Sequence, residues 1–74
     1  MPLMAPNGYM NVVGRQVRAR RKSLRIDQQM LADLAGVSRK SVSEIERGKA
    51  TIRMDVLVAV LDALGLTLEV RDAR

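Results

Sequence analysis

The chain has 74 residues, with 13 Lys and Arg against 8 Asp and Glu, a net charge of +5, and neither Cys nor His. Those absences remove disulfides, thiolate metal sites and the commonest general base. A domain this small buries only about 60% of the surface its unfolded chain exposes, so pairing with another chain is expected on size alone.

Charge is unevenly placed. Residues 1–49 carry ten basic and four acidic side chains, whereas residues 50–74 carry three and four. A basic half joined to a neutral half points to one face for a polyanion and another for something else. No apolar run approaches the roughly 18 residues of a membrane span. The opening MPLMAPNGYM lacks the charged and apolar regions of a signal peptide, so the expectation is a cytoplasmic protein without a membrane partner. Two Pro, one Gly and no periodicity make residues 1–10 a loosely ordered arm.

Asn11 is a candidate N-cap, and Val13, Val17, Arg21 and Leu24 recur on one helical face, which predicts a first helix over residues 11–23. Asp27 caps a second helix over 28–35, and Gly36 stops it. Ser38 caps a third, from Arg39 to about Arg47, closed by Gly48. After a polar connection, Met54, Leu57, Val58, Leu61 and Leu64 make the apolar stripe of a fourth helix over 54–64. Its start offers Arg53 where a small polar cap is usual, with Thr51 as the alternative. Residues 66–71 then alternate apolar and polar, the period of a strand.

The central stretch QQMLADLAGVSRKSVSEIER, residues 28–47, meets the separate demands of one motif. Two helices that cross steeply through a short turn need a small residue at their contact, here Ala32, and a turn residue free to go left-handed, here Gly36. Leu31, Ala35, Val37, Val42 and Ile45 then face inward. Two ordinary amphipathic helices explain the apolar spacing but not the Ala32, Gly36, Val42 and Ile45 set together. The pattern is that of a helix-turn-helix.

With Arg21, Gln28, Leu31-Ala32, Ala35-Gly36-Val37-Ser38, Val42, Ile45-Glu46-Arg47-Gly48 and Ala63-Leu64-Gly65 in place, residues 13–65 resemble the Cro/C1-type helix-turn-helix family. The resemblance implies an all-α, lambda-repressor-like four-helix domain over residues 11–65, whose third helix enters the major groove of double-stranded DNA. Gln28 and Ser38, at helix N-termini, suit phosphate oxygens. Arg39, Lys40 and Ser43 project from the early turns of the reading helix, with Arg39 and Lys40 suited to guanine. Gln29, Ser41 and Lys49 complete the expected DNA-binding set with Glu44. That acid has two readings, accepting from a cytosine amino group or pairing with Lys40 one turn back. Arg15, Arg18, Arg20, Arg47, Lys49 and Arg53 are candidate phosphate clamps. Arg21 falls on an apolar stripe, and the resemblance implies that it pairs with Glu46 to tie the first helix to the third.

Many relatives continue with a fifth helix, and this chain does not. Nothing else in it reads as a strand to pair with residues 66–71, so the expected partner is the same strand of a second subunit, with Leu66, Leu68 and Val70 as its apolar face. A simply solvated tail is the alternative. Residues 66–74 are thus read as a dimerisation strand and tail. Four helices with such a strand resemble the HipB-type antitoxin, which implies a homodimeric repressor on a palindromic operator and a HipA-like serine/threonine kinase toxin as partner. A free-standing Cro/C1-type regulator, or an interaction module that has lost DNA binding, are the other readings. No Gly-rich phosphate loop or paired carboxylates in a cleft suggest an enzyme or a cofactor.

Overall fold

The computed structural model describes residues 6–72 and holds four helices there: α1 (Pro6–Ser23), α2 (Gln28–Ala35), α3 (Arg39–Glu46) and α4 (Met54–Ala63). Their common core consists of Val17, Leu31, Ala32, Val42, Ile45, Leu57, Val60, Leu61 and Leu64. Ala35 and Val37, also expected to face inward, are partly buried against it.

α1 begins five residues before the Asn11 expected from capping. Residues 6–10 of the expected arm are therefore helical, and residues 1–5 lie outside the described part of the chain. The cause is packing. Met10 lies one turn before Val13 and two before Val17 and packs against the core with Val13, so the apolar stripe extends past Asn11. Pro6, with fixed φ and no N–H, suits a first helical turn. At the other end, Arg25 takes a left-handed conformation (φ 60°), and the Ile26 N–H donates back to the Arg21 carbonyl.

The next two helices start and stop as their residue types dictate. Asp27 accepts from the Met30 N–H at 2.8 Å, and Gly36 (φ 71°) ends α2 with its N–H turned to the carbonyls of Ala32 and Asp33. Ser38 accepts from the Ser41 N–H at 3.0 Å. Ala32 is fully buried as α2 packs on α3, as a small contact residue should be.

α4 differs from the expected stripe. Leu57, Val60, Leu61 and Leu64 are buried, whereas Met54 is 60% and Val58 39% exposed. The helix is apolar on more than one face, so spacing alone admits two stripes. Neither Arg53 nor Thr51 caps its start with a side chain: Arg53 occupies the cap position without such a bond.

Its C-terminus is held from outside. Arg20, a candidate phosphate clamp from sequence, donates from Nε to the Leu64 carbonyl at 2.9 Å and so ties the end of α1 to the end of α4. This carbonyl belongs to the unpaired acceptors of a helix C-terminus, where a cation is also favoured by the dipole. Arg20→Ala is expected to cost about 1 kcal/mol, the value of an ordinary hydrogen bond and below the ~1.5–3 kcal/mol of one to a charged group, because Arg20 is exposed. Urea denaturation measures it, and a midpoint equal to wild type would remove Arg20 from this role.

Beyond Gly65 the described chain forms neither helix nor strand. The Leu66 N–H donates to Leu61 O at 2.9 Å, and among the described residues no later backbone group finds a backbone partner. Leu66 packs on the core, Leu68 is 46% exposed and Val70 96% exposed. The strand expected over residues 66–71 is thus not formed within the described chain, because a strand needs a second backbone and the four helices supply none. Among the described residues no helix is long and apolar enough to cross a membrane.

Candidate nucleic-acid interface

Two open clefts that share Gln28 and Arg39 lie along α2 and α3. Arg21, Asp27, Gln28, Gln29 and Arg39 line the first. Gln28, Arg39, Lys40, Ser43 and Arg47 line the second. Positions 39, 43 and 47 are successive turns of one α3 face, opposite buried Val42 and Ile45. The second cleft therefore gathers three cations and no carboxylate, a surface shaped for an anion or for the acceptor edges of guanine.

Arg21, on the wall of the first cleft, forms with Glu46 an ion pair that joins α1 to α3. Arg21 Nε donates to Glu46 Oε2 at 2.6 Å and Nη2 to Oε1 at 3.0 Å, a two-pronged geometry, while Nη1 reaches the Ile26 carbonyl at 2.9 Å. The two side chains are 11% and 4% exposed. Gln28 Nε2 adds a bond to Glu46 Oε1 at 3.2 Å, so the pair also orients a residue of both clefts. Every buried side-chain polar atom in the described chain has a partner.

The remaining sequence candidates divide. Gln29 lines the first cleft but donates to Asp33 at 2.9 Å along its own helix. Ser38 and Ser41 share a hydroxyl–hydroxyl bond of 2.9 Å at the start of α3, beside the clefts and outside their lining. Glu44 pairs with Lys49 at 3.0 Å, not with Lys40. The Lys49 ammonium, helped by the charges of Lys40 and Arg47, holds the Glu44 carboxyl below the usual carboxylate range. This pair pins the loop after α3, where Lys49 N–H also donates to Glu44 O. Arg47 moves the other way. By sequence it is one of several general phosphate candidates, yet it donates to Ser43 Oγ at 3.0 Å and lies in the second cleft. The signal was its i+4 spacing from Ser43 and i+8 from Arg39.

This arrangement of Ala32 crossing, Gly36 turn and cationic α3 coincides with a family model described as helix-turn-helix, which matches residues 17–70. The chain belongs to the helix-turn-helix family of Cro/C1 type. No curated protein gives a significant match to it. Members of this helix-turn-helix family are DNA-binding transcription regulators, typically without enzymatic activity. In this helix-turn-helix protein α3 follows the turn, and the cleft of Gln28, Arg39, Lys40, Ser43 and Arg47 lies along it.

Proposed function

We propose that this protein is a homodimeric repressor that reads a palindromic operator with α3 and acts as a HipB-type antitoxin toward a HipA-like kinase. The observation that carries the DNA reading is the cleft where Arg39, Lys40 and Arg47 surround Ser43 with no acidic side chain among them. Arg39 and Lys40 contact base edges, Ser43 and Arg47 support them, and Gln28 with the start of α3 meets phosphate. Ser38, Ser41 and Gln29 flank this set. Glu44 and Lys49, engaged with each other, frame the reading helix. The antitoxin step rests on the four-helix domain being followed by a segment that alternates apolar and polar residues instead of a fifth helix, with Leu66, Leu68 and Val70 as the dimer strand. Such a protein works in the cytoplasm on its own promoter.

Fluorescence anisotropy with DNA upstream of its own gene tests the reading. Arg39→Ala is expected to weaken specific binding about tenfold, within the ~1–3 kcal/mol of a bidentate base contact, and to leave the melting temperature unchanged because Arg39 is exposed. Equal affinity of variant and wild type for every sequence would sink it. Recovery of a kinase with the native protein from its host separates the antitoxin from a free-standing regulator.

A further inference from the structure

Most of what the second cleft offers a ligand is hydrogen-bond donors. Arg39, Lys40 and Arg47 can only donate, and no acidic side chain stands among them. A serine hydroxyl acts in either sense, so Ser43 decides whether the middle of this face donates or accepts. It is half-buried, one turn from Arg39 and one from Arg47.

Ser43 differs from the chain's other three serines. Ser23 gives its proton to the Arg20 carbonyl at 2.7 Å, and Ser38 and Ser41 bond to each other at 2.9 Å. A serine inside a helix commonly turns its proton back to the carbonyl four residues earlier, which here is that of Arg39. Ser43 does not. Among the described residues its hydroxyl makes one hydrogen bond, and it accepts that bond, from Arg47 Nη1 at 3.0 Å. The guanidinium therefore occupies a lone pair and leaves the proton free. Its charge also strengthens the hydroxyl as a donor and repels a second donor approaching the same oxygen.

We infer that Arg47 fixes Ser43 as a donor to a base edge, so that the operator base facing Ser43 presents an acceptor and cytosine is rejected there. In the major groove guanine offers N7 and O6, adenine N7 and thymine O4, whereas cytosine offers only its amino donor. Ser43 becomes a third base contact beside Arg39 and Lys40, and Arg47 its positioning residue. This deepens the DNA reading of the proposed function and rests on it.

Selection from random duplexes gives the base preference at every operator position for wild type, Ser43→Ala, Arg47→Met and Arg47→Lys. Wild type is expected to disfavour cytosine about fivefold at one position of each half-site, the size of a single hydrogen bond. Ser43→Ala and Arg47→Met should both bring that position to within about twofold and leave the others as they were, because the first removes the hydroxyl and the second frees it to accept. Arg47→Lys still donates and should keep cytosine out. If Arg47→Met instead weakens all sequences alike, with a log–log salt slope lower by about one and cytosine still rejected, Arg47 is a phosphate contact only and the inference is overturned. Preferences of Ser43→Ala identical to wild type overturn it as well. Both results leave the DNA reading standing, whereas a wild type that selects no sequence overturns that reading itself.

Discussion

Glu46→Ala is expected to lower the unfolding free energy by about 3 kcal/mol, the low end for breaking a buried ion pair. For a domain of this length that is a fall in Tm of roughly 12–24 °C. The loss has two parts. Arg21, 11% exposed, would keep its charge with only the Ile26 carbonyl as acceptor, and Gln28 would lose the acceptor for its amide. Because the pair joins α1 to α3, the damage appears first as instability. Specificity, measured well below Tm, should change less than affinity. A Tm within a degree or two of wild type would show that the network contributes orientation alone.

The same pair sets an acid limit. Burial pulls the Glu46 carboxyl up, but the hydrogen bonds from Arg21 and Gln28 and the charges of Arg21 and Arg18 outweigh it, so its pKa lies below the usual range. Arg21 is raised in return, chiefly by its hydrogen bond to Glu46. A carboxyl lowered in the folded state contributes stability that is present above its unfolded value of about 4.3 and lost as pH falls through the folded value. The stability difference between wild type and Glu46→Gln should therefore be full at neutral pH and shrink below about pH 4–5. A difference constant from pH 7 to pH 3 would contradict the assignment.

What the sequence made legible follows from how local each cause is. Asp27, Gly36 and Ser38 act on their own few residues, and the helix-turn-helix they bound lies where its spacing put it. Arg21 was recognisable because a charge on an apolar stripe requires a partner. The start of α1 was hidden because packing of Met10 against the core, a tertiary matter, outweighs the capping preference of Asn11. Nor does anything in the sequence mark Arg25 as the left-handed end of α1, a place more often given to Gly. Arg20 and Glu44 show the limit for surface charges. Helix position makes Arg20 a phosphate clamp and Glu44 either a base contact or the partner of Lys40, yet the carbonyl of Leu64, 44 residues away, and the ammonium of Lys49 are what they meet. The tail is a third case, since alternation identifies a strand only where a second backbone is present to complete it.

Gly14→Ala separates local propensity from tertiary packing most sharply, because the two predict opposite signs. Ala in place of a mid-helix Gly gains about 1 kcal/mol in propensity. Here, however, α1 and α3 approach so closely that a Cβ at Gly14 would collide with the carbonyl oxygen of Ile45 and lie 2.9 Å from that of Glu46. Both atoms are backbone, so no side chain can swing aside. The helices must separate, and separation strains the Arg21–Glu46 pair two turns further along α1. Overpacking of this kind costs ~1–3 kcal/mol or more, and with the pair disturbed the net loss is expected at about 2–3 kcal/mol. Gln16→Ala, at an exposed position of α1, is the control and should stay within about 0.5 kcal/mol of wild type. Thermal melts of the three proteins decide the matter. If Gly14→Ala melts above wild type, the two helices lie farther apart than this fold places them, and the contact that fixes α3 against α1 must be sought in the ion pair alone.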